Sequence, residues 1–266
     1  MKILVTYDDG IYSPGLLALA EAASELGEVH IFAPHVEQSS MGHAITHARP
    51  LAAVRTKIAG FDAWRVDGTP ADCVTLGSSR VEGADLVLSG INLGMNLGNG
   101  MWHSGTLAGA KQAALLGIQG VALSAPVPDD EKRLLRLRTA LLEALDAVVG
   151  DPGLPLVNVN LPFEPRGLRF TRQSVRHYDG AIVAAKHPHG RPIYWIVAEP
   201  IEDVEEDTDR FAVQCGYVSI TPLRLDLTDY AALSRAPLAR ARGARARAPD
   251  PSRLARPRAR RCGARA

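Results

Sequence analysis

Lys2-Ile-Leu-Val-Thr-Tyr-Asp-Asp-Gly10 is a short apolar, partly β-branched run that ends in two adjacent carboxylates and a glycine. Residues 2–6 read as a buried strand, Gly10 breaks it, and a helix begins near Pro14. In an open α/β sheet, ligands bind beyond the carboxyl ends of the strands, which places Asp8 and Asp9 on the ligand edge. Like charges on consecutive residues repel, and water or a cation must compensate them. A hard divalent cation held by oxygen atoms is the simplest compensation. A helix N-cap followed by a solvated loop is the plainer alternative.

Outward from this stretch, strand-like runs recur at 29–33, 85–89 and 120–124, with helix-like runs at 14–26, 70–76 and 107–116 between them. Pro14 suits a first helical turn, and Gly27 follows the last periodic residue. Short apolar strands alternating with helices indicate an α/β, Rossmann-like, doubly wound and mainly parallel sheet, expected over residues 1–165. Residues 52–55 and 63–66 look like an inserted β pair that turns at Ile58-Ala-Gly60. Residues 131–149 place Leu134, Leu137, Leu141, Leu145 and Val148 on a broad apolar face and read as one helix, ended by Asp151-Pro-Gly153. A buried strand at 154–159 follows. Residues 166–230 turn to a β pattern, clearest at 194–197 and 217–220, and are expected to form a smaller β-rich extension serving assembly.

At 266 residues the chain is long enough to bury a full core. No run of about 18 apolar residues occurs, so no membrane span is expected. Met1-Lys2-Ile3 enters a strand directly and leaves no room for a signal peptide. Cys73, Cys215 and Cys262 are too few and too far apart for a disulfide framework or a zinc site, which fits a reducing cytoplasm. The net charge of +1 hides an asymmetry. Residues 231–266 hold eleven Arg against one acidic residue, Asp250, and leave the preceding 230 residues nine charges negative. An acidic body binds phosphate backbones poorly, so nucleic acid is not an expected partner and any bound anion needs a local site. The Arg-, Ala- and Pro-rich segment 231–266 lacks apolar periodicity and is expected to be a disordered basic tail, either a nucleic-acid anchor or adventitious.

Three further loops follow strands on the edge that carries Asp8 and Asp9. Ala33-Pro-His-Val-Glu-Gln-Ser-Ser-Met-Gly42 offers the hydroxyls of Ser39 and Ser40, or is an ordinary polar loop. Ser89-Gly-Ile-Asn-Leu-Gly-Met-Asn-Leu-Gly-Asn-Gly100 alternates Asn92, Asn96 and Asn99 with glycines. Asn carbonyls ligate hard cations without adding charge, and glycines let the backbone approach a ligand. The loop is neither a Walker A motif nor a dinucleotide fingerprint. His103-Ser-Gly-Thr106 stands directly before a helix and combines hydroxyls with free N–H groups, as an oxyanion site or simply as a helix cap.

Taken together, Ile-Leu-Val-Thr-Tyr-Asp-Asp-Gly-Ile11, Ser89-Gly-Ile-Asn-x-Gly-x-Asn-x-Gly98 and His103-Ser-Gly-Thr106 resemble the SurE family of 5'/3'-nucleotidases. Gly68-Thr-Pro-Ala-Asp-Cys73 and Gly216-Tyr-Val-Ser-Ile-Thr-Pro-Leu223 match further family segments, so the likeness runs from residue 1 to about 230. It implies a metal-dependent phosphatase of nucleoside monophosphates, assembled as a homodimer or homotetramer, with no membrane partner. It further implies one divalent cation, Mg2+ or Mn2+, on Asp8, Asp9, Ser39 and Asn92, with Asp8 and Asp9 catalytic. Asn96, Ser104, Gly105 and Thr106 match the phosphate-contacting region. Two departures stand out. Tyr7 occupies a position where the family usually carries Asn, and its ring is expected to displace the metal or narrow the pocket. The tail after Ala231 is unlike the family's C-terminal segment.

The implied reaction is hydrolysis of a phosphate monoester by water. Its rivals are a phosphotransferase working through an aspartyl-phosphate, a nucleotide-binding protein with catalysis weakened by Tyr7, and a nucleic-acid anchor in the tail. Arg172, Arg176, His177, Tyr178 and Tyr194 are candidates for contact with a base or a neighbouring subunit.

Overall fold

The computed structural model describes residues 1–130, 132–175, 178–200 and 204–235. Its core is a nine-stranded sheet. The first half of the chain contributes β1 (Lys2–Thr6), β2 (Glu28–Pro34), β3 (Ala53–Ile58), β4 (Phe61–Val66) and β5 (Leu86–Leu93). The second half adds β6 (Gln119–Ala125), β7 (Leu156–Asn160), β8 (Leu168–Phe170) and β11 (Val218–Pro222). A separate antiparallel pair is formed by β9 (Tyr178–Lys186) and β10 (Pro192–Pro200). The order β3-β4-β2-β1-β5-β6-β7-β11-β8 puts β1 inside the sheet, between β2 and β5. From β4 through β7 neighbouring strands run parallel, while β3 and β11 pair antiparallel to β4 and β7. The doubly wound, mainly parallel α/β expectation is met.

The helices are α1 (Pro14–Ala23), α2 (Pro70–Arg80), α3 (Gly105–Leu115), α4 (Lys132–Arg136), α5 (Arg138–Asp146), α6 (Asp209–Gln214) and α7 (Tyr230–Arg235). Helices α1 and α5 cover one face of the sheet and α2 the other, because β1 is apolar on both. Ile3 and Val5 pack into one cluster with Leu16 and Leu19 of α1 and Leu141 and Leu145 of α5. Leu4 faces the other way, into a cluster with Phe32 and with Cys73 and Val74 of α2. Strands buried on both faces lose the polar alternation of an exposed sheet, which is why they read as short continuous apolar runs.

Three local differences from the sequence reading have physical causes. The single helix expected at 131–149 is two, α4 and α5, parted at Leu137, whose N–H bonds the nearer Leu134 carbonyl at 3.1 Å in a tightened turn. Strand β5 runs on to Leu93, past the expected end at Ser89, because Asn92 and Leu93 pair with Ser124 and Ala125 after a register shift. The start of the expected disordered tail is helical in α7, where Ala232 N–H donates to Asp229 at 2.8 Å in a first-turn cap. The rest of that tail, 236–266, lies outside the described residues. Residues Met1–Leu225 form one compact unit, and the second unit begins at Asp226. Segments 168–170 and 218–222 of the expected extension join the main sheet as β8 and β11. The inserted β pair is the antiparallel hairpin of β3 and β4.

Helix α3, which borders the site, sits very close to the sheet. A Cβ added at Gly120 of β6 would lie 2.1 Å from the Ala110 carbonyl oxygen of α3. That partner is backbone and cannot rotate away. Gly120→Ala should therefore lower the urea unfolding free energy by about 2 kcal/mol or more. An unchanged unfolding midpoint would contradict this tight seating of α3.

Candidate active site at the switch point of the sheet

Chain connections from β1 lead to β2 on one side and reach β5 on the other, so a crevice opens beyond the carboxyl end of β1. The loop after β1 is clamped there by backbone bonds. Ile11 N–H donates to Pro34 O at 2.9 Å, and Gln38 N–H donates to Asp8 O at 2.7 Å. Gly10, at φ +96°, makes the turn that permits this. The second of these bonds draws the loop after β2 over the acidic pair and brings the Ser39 hydroxyl to 3.1 Å from Asp9 Oδ1. From the other side, Gly42 N–H reaches His103 O at 3.1 Å, so this loop also meets the entrance to α3.

A cavity of about 310 Å3 results, lined by Asp8, Asp9, Ser39, Asn92, Asn96 and Ser104, with Glu37, Ser40, Gly100 and His103 at its walls. Segments scattered over nearly a hundred residues of sequence thus supply one site. Gly105 and Thr106 stand behind Asp8 rather than on the cavity wall. The Thr106 hydroxyl, fully buried, donates to Asp8 Oδ1 at 2.6 Å. A Cβ at Gly105 would lie 2.7 Å from the Asp8 Cβ, so only glycine lets α3 begin this close to the carboxylate. The Ser104 hydroxyl caps α3 by accepting Leu107 N–H at 3.0 Å. The backbone N–H groups of Gly105 and Thr106 lack intrahelical partners, as first-turn donors do.

Asn96 is held from three sides. Its Nδ2 donates to Ser124 Oγ at 2.9 Å, its N–H to Asn160 Oδ1 at 2.9 Å, and its carbonyl accepts from Asn158 Nδ2 at 2.8 Å. Ser124, Asn158 and Asn160 lie in β6 and β7 and are fully buried. The sequence reading did not single them out as functional. Their signal was polarity at positions where a two-face-buried strand should be apolar. Asn92 Nδ2 donates to Gly94 O at 2.6 Å, which turns its Oδ1 inward. His103 and Glu37 were also missed as wall residues, although both lie within the quoted loops.

Tyr7 departs from expectation. Its ring is fully buried beneath the site, and only its hydroxyl reaches the edge, where it donates to Asp9 Oδ2 and accepts Leu93 N–H at 2.9 Å. The ring does not narrow the cavity. Burial, and then the bond to Asp9, push its phenol well above the ordinary tyrosine range, so it stays protonated.

The motif Gly68-Thr-Pro-Ala-Asp-Cys73 plays another part. Thr69 and Asp72 form a reciprocal capping box at the start of α2. Asp72 also accepts from Thr46 Oγ1 at 2.6 Å and Thr46 N–H at 2.9 Å, tying the loop after β2 to α2. Burial raises the Asp72 carboxyl, but these bonds from Thr46 and Thr69 outweigh it and hold it below its usual value.

Among the described residues, no three His, Cys, Asp or Glu side chains gather as a metal cluster. The donor set here is different: two carboxylates with the neutral oxygens of Ser39 and Asn92, all lining one cavity. All-oxygen donors of this mixed charge fit a hard divalent cation. Such a set beside a helix N-terminus defines an α/β protein whose switch-point crevice can take a cation and an anion together. The family model for Survival protein SurE matches residues 3–180, and the chain belongs to that family. The 5'-nucleotidase SurE 1 of Thermus thermophilus is 49% identical over 237 residues, 86% of this chain and 93% of that protein. The 5'-nucleotidase SurE of Deinococcus radiodurans is 43% identical, covering 85% and 88%. The crystal structure of SurE from Aquifex aeolicus superposes with a TM-score of 0.74 at 38% identity, covering 88% of this chain and 97% of that one.

Asp8 is only 4% exposed, and burial raises its carboxyl from 3.8 to about 6 despite the Thr106 bond. The folded metal-free protein thus holds this proton more tightly than the unfolded chain does. The resulting stabilisation is complete below about pH 4 and is lost as pH rises through 6. Ionised Asp8 therefore costs the metal-free fold on the order of 2–3 kcal/mol at pH 8. Asp8→Asn should raise the melting temperature of metal-free protein by several degrees at pH 8, with the gain vanishing near pH 4. A variant that melts no higher than its parent at pH 8 would contradict this.

Proposed function

We propose that this chain is a divalent-metal-dependent phosphatase that hydrolyses nucleoside monophosphates, as a 5'- or 3'-nucleotidase, to nucleoside and phosphate. The observation that carries the reading is the convergence of Asp8, Asp9, Ser39 and Asn92 on a cavity that also opens onto the start of α3. The names of its relatives, which are 5'-nucleotidases, support the same reaction.

Asp8, Asp9, Ser39 and Asn92 hold the cation, with Mg2+ or Mn2+ the candidates from oxygen-only ligation. Such an ion supplies charge neutralisation at the phosphate oxygens and a lowered pKa for water. The chain's own residues do the rest. The Ser104 hydroxyl and the N–H groups opening α3 donate to the phosphoryl oxygens, where the helix dipole favours negative charge. These donors are fixed before substrate arrives, so they stabilise charge growing on the phosphoryl group without reorganising. Asn96, immobilised by Ser124 and Asn160, lines the same cavity as Ser104. Water attacks phosphorus, the ester P–O bond breaks, and the leaving oxygen takes a proton. The role of Thr106 is to orient Asp8 through its hydroxyl rather than to touch phosphate through it.

Loss of catalysis through Tyr7 has lost its physical motive, since the ring lies under the site and not in it. Of the candidate base or subunit contacts, Arg176 and His177 lie outside the described residues. Arg172 is paired with Glu205 at 2.5 Å, and Tyr194 is exposed on β10. Trp195 and Ile196 beside it are 62% and 84% exposed. Exposed apolar side chains on a hairpin with its own small sheet support assembly as a homodimer or homotetramer through this arm. No helix among the described residues is long and apolar enough to cross a membrane. Cys73 and Cys215 are free thiols, which accords with a cytoplasmic setting.

Phosphate release from a nucleotide panel, with and without chelator and across several metals, tests the reading. Asp9→Ala should lose about a thousandfold in kcat/KM, equivalent to about 4 kcal/mol of transition-state stabilisation. Hydrolysis at the parent rate by that variant, or undiminished activity in chelator, would overturn it.

A further inference from the structure

Position 7 combines three features that no helix cap or core packing role requires together. The ring is fully buried, locked between α1 and β5: a Cβ at Gly15 of α1 would lie 3.3 Å from Tyr7 Cε1 and 2.1 Å from the Ile91 carbonyl oxygen of β5. The hydroxyl accepts Leu93 N–H at 2.9 Å, which fixes it against the end of β5. Its own hydrogen goes to Asp9 Oδ2, on the loop after β1, while Asn92 Oδ1 lies 3.3 Å away.

A phenol has one hydrogen. Given to Asp9, it is not available to Asn92, so the Asn92 oxygen sits beside the phenol oxygen as a spare acceptor. That oxygen is kept there by its own amide nitrogen, which donates to Gly94 O at 2.6 Å. Two acceptors, Asp9 on the loop after β1 and Asn92 on β5, are therefore spaced around one rigid hydroxyl. Asp9 is fixed at both oxygens, Oδ2 by Tyr7 and Oδ1 by Ser39 Oγ at 3.1 Å. The Ser39 bond is the longer and more exposed of the two, so Oδ1 is the oxygen left to face a cation.

We infer that Tyr7 is a positioning residue of the cation site: its hydroxyl, anchored on Leu93, sets the orientation of Asp9 and its spacing from Asn92. This rests on the metal reading proposed above. A shorter side chain at position 7 could not rest on α1 and reach the far edge of β5 at once. The device therefore belongs to this chain's tyrosine, and the ring and hydroxyl have separable duties. The ring fills the core and the hydroxyl holds the ligands. Ligand-orienting partners of this kind are worth ten- to a hundredfold in metal affinity.

The test is Mn2+ binding to the full chain without substrate, followed by calorimetry and by the electron paramagnetic resonance of free Mn2+. Tyr7→Phe keeps the ring, so it should fold and melt within a few degrees of the parent, yet its Kd for Mn2+ should rise ten- to a hundredfold. Asp9→Ala in the same titration should abolish tight binding. An unchanged or tighter Kd in Tyr7→Phe, with Asp9→Ala still defective, overturns the role of Tyr7 and leaves the metal reading standing. A parent protein that binds no Mn2+ overturns both. Should Tyr7→Phe fail to fold, amide exchange at Leu93 in the parent protein decides. Protection that persists on Mg2+ binding supports the anchor, and protection lost on Mg2+ binding shows that the phenol has been displaced and overturns it.

Discussion

Two carboxylates on consecutive residues at the end of a strand buried on both faces create a charge problem that the surrounding structure is arranged to manage. Asp8 is drawn inward, where burial makes its ionised form costly and Thr106 partly relieves that cost. Asp9 points toward the cavity and is held by Tyr7 and Ser39. Neither arrangement supplies a positive charge. Hydroxyl and amide donors can align two carboxylates, but they cannot neutralise them. On the proposed reading, that neutralisation is left to a bound cation.

The scaffold serves this arrangement through close backbone approach. Gly120 lets α3 sit against β6, and Gly105 lets the same helix start against Asp8. The positive end of that helix dipole is thereby brought to the rim of an acidic crevice. Ser124, Asn158 and Asn160 direct buried polar atoms at Asn96. Hydrogen bonds between buried polar groups are strong in low dielectric, and these hold Asn96 in place although Asn158 Oδ1 itself has no partner among the described residues.

Much of this was legible in the chain. The apolar run at 2–6 and its partners exposed the parallel sheet because strands buried on both faces show no polar alternation. The loop after β5 exposed a site because Asn and Gly alternate where a strand would otherwise simply turn. Other parts were hidden for reasons that lie in three dimensions. That the Thr106 hydroxyl donates to Asp8 depends on how near α3 approaches β1, which no spacing along the chain records. The burial of Tyr7 was misjudged because a tyrosine beside two acids looks like an obstacle, whereas its ring lies between α1 and β5 and only its oxygen emerges. The break at Leu137 depends on one turn tightening within an unbroken apolar pattern. The Thr69–Asp72 capping box looked like a family signature, and it fastens the loop after β2 to α2.

The claim on which the account turns is that one divalent ion is held jointly by the acidic pair. Anomalous diffraction from crystals soaked in Mn2+ tests it directly. A peak is expected within about 2.5 Å of oxygens from both Asp8 and Asp9, in the cavity that Ser39 and Asn92 also line. No peak there, or one touching neither carboxylate, would contradict it.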